Sequence, residues 1–135
     1  MIVDSSIIVA LALGEPSSRW ITRTIDSHPH QVLRMSWVNI AEAAMALRRE
    51  NPAAPAALET LLAQASIEPL APGWDVVHAA VEARARFPLH FGDCFAYAHA
   101  ARRQEPLLTL DSDVLKTDLA AVLHPAGRAE PSRRA

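Results

Sequence analysis

The stretch MIVDSSIIVAL, residues 1–11, decides the fold. Met1, Ile2 and Val3 form a short apolar run that reads as a strand, and Asp4, Ser5 and Ser6 lead from it directly into a helical pattern. An acid at that junction stands at the carboxyl end of a strand, where open α/β sheets bind their ligands. A helix cap would place an aspartate there equally well and stabilise the helix by about 1 kcal/mol. Asp4 alone therefore proves little, and its meaning depends on the rest of the chain.

Outward from this stretch, short apolar runs alternate with helical ones, without an internal repeat. Ile7 to Leu13 is apolar nearly all round, as in a buried helix, and Gly14 is placed to end it. A second helix restarts at Glu15-Pro16 and runs to about Asp26, and a strand follows at Val32 to Met35. Ser36 caps a helix that carries Val38, Ala41 and Met45 and ends at Arg48-Arg49-Glu50, before Asn51-Pro52. Pro55 opens another helix, through Leu62, with a strand at Ile67 to Leu70. Trp74 to Arg86 is helical, with Val77, Ala80, Val81 and Ala85 as its apolar positions. A further helix runs from Asp93 to Arg103, and strands follow at Leu107 to Leu110 and Ala121 to Leu123. Strand and helix in alternation predict an α/β fold with a mainly parallel sheet covered on both faces. From Pro125 the apolar period is lost, and residues 125–135 read as a disordered tail.

The 135 residues fit one compact domain, half of them apolar and 21% charged. Thirteen Lys and Arg against fifteen Asp and Glu exclude a generally basic nucleic-acid binder, so any partner must be argued from a site. One cysteine, Cys94, allows no internal disulfide, the apolar runs are too short to span a bilayer, and no cationic leader opens the chain. These features predict a cytoplasmic protein without a membrane partner.

Three further acids share the setting of Asp4. Glu42 borders the inward face of its predicted helix, Asp93 follows Phe91-Gly92 at a helix start, and Asp111, with Asp113 behind it, follows the strand at 107–110. Singly, Asp93 is explained as a cap, Asp111 and Asp113 as turn residues, and Glu42 as an exposed helix residue. Together they point elsewhere. If the first and fourth strands are neighbours, Asp4 and Asp111 leave the same edge of the sheet, and the helix of Asp93 points there too. Two such charges 4 Å apart repel by about 4 kcal/mol near a protein surface, and a divalent cation is the economical remedy. Oxygen donors without His or Cys spacing select Mg²⁺, or Mn²⁺, over zinc.

Four segments carry a resemblance to a known family: MIVDSSIIVAL at 1–11, the helix from Ser36 to Ala46 around Glu42, FGDCFAYAHA at 91–100, and PLLTLDSDVLKTDL at 106–119. Together they resemble the PIN-domain ribonucleases, in particular VapC-type toxins of bacterial toxin-antitoxin pairs. Ser5 stands where a Thr is usual and Val114 where a Phe is common, so the fourth acid stays open between Asp111 and Asp113. The resemblance implies a three-layer α/β/α nuclease domain over residues 1–124 and a Mg²⁺-dependent endoribonuclease. Asp4 and Asp93 would bind metal, Glu42 would bind it or orient the attacking water, Asp111 or Asp113 would complete the cluster, and Ser6 would support it. It further implies RNA as substrate, inhibition by a cognate antitoxin, and a homodimer.

Two rivals are weighed against this. A phosphohydrolase with Asp4 as nucleophile would want a second acid two residues on, where Ser6 stands, and a non-catalytic binding module would use the acidic pocket only to capture a basic peptide. Cys94 and His99 lie on divergent helix faces at i and i+5, which disfavours a thiol mechanism. Arg48-Arg49 and Arg102-Arg103 fall at helix C-termini, where the helix dipole favours them. Trp20, Trp37 and Trp74 read as core or interface anchors rather than base-stacking platforms.

Overall fold

The computed structural model describes residues 1–127 and orders them as β1 (Ile2–Val3), α1 (Ser5–Leu13), α2 (Ser18–Asp26), β2 (Arg34–Ser36), α3 (Trp37–Glu50), α4 (Ala54–Gln64), β3 (Glu68–Leu70), α5 (Trp74–Arg86), α6 (Phe91–Arg103), β4 (Leu107–Leu108), a 3-10 helix (Ser112–Lys116) and β5 (Val122–Leu123). The five strands form one parallel sheet in the order β3-β2-β1-β4-β5. The chain thus winds outward from β1 to β3, then returns to β4 on the other side of β1. The sequence order reverses between β1 and β4, where Ile2 pairs with Leu107 and Val3 with Leu108. That reversal is the topological switch point at which α/β sheets open a crevice beyond their carboxyl ends.

Alternation along the strands explains the two layers of helix. Met1 and Val3 point into a core with Ile7, Ile8, Ile21, Met35, Leu47 and Leu58 from the α1 to α4 side, together with Leu108 and Leu123. Ile2, Leu107 and Val122 point the other way, onto Val76, Ala80, Ala96 and Ala100 of α5 and α6. A period of two on each strand therefore feeds both faces and gives the three-layer α/β/α architecture expected from the sequence.

Local chemistry sets the element ends. Asp4 caps α1 by accepting from the Ser6 amide, and Gly14 ends that helix in the left-handed region at φ 63°. β4 stops at Leu108, two residues before the predicted end, because the Leu110 amide donates to Ser6 Oγ (3.0 Å) and the Asp111 amide to Thr109 Oγ1 (2.9 Å) rather than to a strand. α6 begins at Phe91, two residues earlier than predicted: Asp93 is its third residue and reaches back to accept from the His90 amide (3.2 Å). In β3 the Glu68 amide donates inward to Leu33 O (2.9 Å), so the outward-facing position of this edge strand falls to Pro69.

Two helical faces lie elsewhere than hydropathy places them. α3 buries Asn39, Ala43 and Leu47 and exposes Ala41 and Met45; α5 buries Val76, Ala80 and Ala83 and exposes Val81 and Ala85. In α3 the reason is Asn39, a polar residue on the buried stripe that masks its period. Trp37 and Trp74 are 54% and 77% exposed, so neither anchors the core, while Trp20 packs partly buried against it. Pro125 to Gly127 form a turn, closed by the Gly127 amide on His124 O (2.9 Å); the rest of the expected tail, 128–135, lies outside the described residues. No helix among the described residues is long and apolar enough to cross a membrane.

Candidate active site

Asp4 leaves the end of β1 only 2% exposed. Its Oδ1 accepts from the Ser6 amide (3.1 Å) and hydroxyl, and its Oδ2 accepts from the Thr109 hydroxyl beyond β4. Burial raises its carboxyl from an ordinary 3.8 to about 6; bonds from Ser6, Thr109 and the Ile7 amide oppose the rise, and the charge of Asp111 adds to it. Ser6 also accepts from the Leu110 amide, so one hydroxyl ties the β1 and β4 ends together.

Asp93, in the first turn of α6, rises further. Burial, a hydrogen bond with Asp111 and the charge of Asp111 push it to about 7, against the His90 amide, and Asp4 contributes a further rise. Two carboxyls hydrogen-bond only when one carries a proton, so Asp93 keeps its proton more tightly beside Asp111. Among the described residues, no basic side chain figures among the largest influences on Asp4 or Asp93.

Geometry also separates Asp111 from Asp113. Asp111 caps the 3-10 helix, accepting from the Asp113 amide (2.9 Å), and interacts with both Asp4 and Asp93. Asp113 points to Lys116 (3.0 Å). Of the two acids the sequence leaves open, Asp111 is the one brought into the cluster.

Glu42 is half-buried on α3, on the flank of the stripe formed by Asn39, Ala43 and Leu47. Its Oε1 accepts from Asn39 Nδ2 (2.8 Å). The carboxylate lies over the Cα of Gly92: a Cβ at that position would stand 1.9 Å from Glu42 Oε1. Gly92 is required for this approach, and the residue after it is Asp93.

Two residues of this constellation escape a reading of the sequence. Thr109 is fully buried against Asp4, and Asn39, 1% exposed, joins Glu42 to Gly92 O (3.0 Å). A polar residue in the TLD segment directly after an apolar strand was the available signal for Thr109. For Asn39 the signal was its place three residues before Glu42, one helical turn away.

As donors, the four carboxylates fit a divalent cation: all are oxygens, they carry excess negative charge, and they gather at one end of the sheet. They do not close on one point, since no three or more His, Cys, Asp or Glu side chains among the described residues stand in metal-holding geometry. The remaining candidates stay apart from the cluster. Cys94 is buried, and burial raises its thiol pKa, which disfavours a thiolate. Arg102 faces Asp75 (3.6 Å) and Arg103 bonds Glu105 (2.6 Å).

The PIN domain family matches residues 1–119. The chain is 33% identical over 129 residues to "Ribonuclease VapC36" of Mycobacterium tuberculosis, covering 88% of this chain and 91% of that protein. In fold it is similar to the M. tuberculosis VapC20 structure, described as a Sarcin-Ricin loop cleaving toxin (TM-score 0.73, 18% identity, 87% of this chain and 95% of that one). It is also similar to a chain of a toxin-antitoxin complex from Klebsiella pneumoniae (TM-score 0.69, 17% identity, 90% and 94%).

Proposed function

Since this chain belongs to the PIN-domain family, and within it to the VapC-type ribonucleases, we propose that it is a Mg²⁺-dependent endoribonuclease and the toxin of a toxin-antitoxin pair. The observation that carries the reading is the gathering of Asp4, Asp93 and Asp111 at the sheet's switch point, where burial and neighbouring carboxylates raise the Asp4 and Asp93 carboxyls. Asp4, Glu42, Asp93 and Asp111 would hold the ion, with Mn²⁺ an effective substitute. When bound, it supplies a more acidic water and neutralises charge on the phosphodiester.

The residues divide the remaining work. Ser6 and Thr109 hold Asp4 in one orientation from two sides. Asp93 would give up its proton as the cluster ionises. Glu42 engages Asn39 through Oε1, which leaves Oε2 to accept a proton from the attacking water.

The nuclease unit would be residues 1–124, acting in the cytoplasm; a single cysteine suits that compartment. A cognate antitoxin would inhibit it, as the likeness to a toxin-antitoxin complex suggests. The exposed apolar residues Trp37, Trp74, Val81 and Phe91 offer surface for a homodimer. The test is incubation of purified protein with structured RNA, with Mg²⁺ or with chelator, alongside Asp4→Asn and Asp93→Asn. Metal-dependent cleavage lost in both variants is expected; cleavage that persists in them would sink the assignment.

A further inference from the structure

We propose that Asn39 is a positioning residue of this site, fixing the Glu42 carboxylate against the first turn of α6. The inference rests on the nuclease reading above and names a residue outside its set of acids. Asn39 sits on α3 in the stripe that faces the core, where hydrophobic residues are the rule, and it is 1% exposed. Both hydrogens of its carboxamide are used: one goes to Glu42 Oε1 (2.8 Å), the other crosses 53 positions of sequence to Gly92 O (3.0 Å). Two acceptors around one nitrogen fix the amide's orientation. They also leave Asn39 Oδ1 buried with no hydrogen-bond partner among the described residues, an arrangement that costs stability.

An apolar residue here would carry no such cost, so stability alone does not account for Asn39. Its bonds do: one element of the site is held in register with another. Glu42 comes from α3, Asp93 from α6, and they belong to separate windings of the chain on either side of β3. Asn39 grips Glu42 on its own helix and the carbonyl of the residue preceding Asp93 on the other. Gly92 completes the clamp from below, since any side chain there would displace the carboxylate. The separation of Glu42 and Asp93 is thereby set by one carboxamide, as outer partners set the orientation of ligating groups elsewhere.

The experiment is a double-mutant cycle between Asn39→Leu and Glu42→Gln, read by Mn²⁺ titration calorimetry and by kcat and KM for cleavage of a structured RNA. Asn39→Leu should weaken Mn²⁺ binding and lower kcat, each by about 10–100-fold, with KM little changed. In the Glu42→Gln background the same substitution should change neither. Equal losses in both backgrounds would overturn the inference, because Asn39 would then act independently of Glu42. Asn39→Asp keeps the shape and removes the donors; should Asn39→Leu fail to fold, it serves in the same cycle with the same expectation. Absence of RNA cleavage by the unsubstituted protein would count against the nuclease reading alone, since the Mn²⁺ cycle still tests the clamp.

Discussion

At the amino edge of the sheet Glu105 is ringed by cations, while at the carboxyl edge Asp4, Asp93 and Asp111 face one another. Glu105 accepts from Arg34 Nη1 (2.8 Å), Arg103 Nε (2.6 Å) and the Met1 ammonium (3.1 Å). Burial pushes its carboxyl upward, but those partners outweigh burial and hold it below the ordinary range. Asp4 and Asp93 are pushed the other way, to about 6 and about 7. The same strands connect both ends, so the difference is one of supplied partners. The amino edge balances its acid with cations of its own chain; at the carboxyl edge the acids stand against one another.

The largest expected effect separates the two ends by activity. Asp93→Asn should lower RNA cleavage by about 10²–10³-fold, whereas Glu105→Gln should leave cleavage unchanged and lower unfolding stability by roughly 1–2 kcal/mol, as seen in urea melts. A cleavage loss in Glu105→Gln would erase the contrast. Next comes the response to metal. Mg²⁺ at a hundredfold excess over its dissociation constant should stabilise the protein by about 2.7 kcal/mol, and Asp4→Asn should abolish the shift in thermal melts.

The pH response should run in opposite directions at the two edges. For Asp4 and Asp93 the folded-state values lie above the ordinary 3.8, so the folded state holds protons more tightly than the unfolded one. Their stabilisation is fully present below about 3.8 and is lost as pH rises through about 6 and about 7. Glu105, held below 4.5, contributes stability above that value and loses it as pH falls through its lowered folded-state range. Melts of metal-free protein should therefore show stability falling from pH 5 to 8 in the parent and falling less in Asp4→Asn. An unchanged slope would refute burial as the cause. The smallest effect concerns the fourth acid: Asp113→Asn should barely alter cleavage, since Asp113 is engaged by Lys116, while Asp111→Asn should reduce it strongly.

The sheet and the place of Asp4 at its carboxyl edge were the legible parts of this chain. Alternating apolar runs locate the strands and helices, and the MIVDSS junction locates Asp4, because hydropathy and capping act locally. The choice between Asp111 and Asp113 needed three dimensions: both follow β4 closely, and only their side-chain directions differ. Asn39 and Thr109 were hidden for a further reason. Each is polar at a position where the fold demands burial, so a hydropathy pattern counts it as a surface residue, and in α3 that error rotates the inferred face away from Asn39, Ala43 and Leu47. Polar residues that serve a site disturb the very period used to find them.

Pro69 bears on whether the sheet can be lengthened by a strand of another molecule. It occupies the outward-facing position of β3, so the middle of that border offers no amide to a neighbouring strand, and at the opposite border β5 is two residues long and is followed closely by Pro125. Neither flank is suited to lengthening the sheet across molecules. Self-association would then proceed through helical surfaces, leaving each sheet a closed unit of five strands.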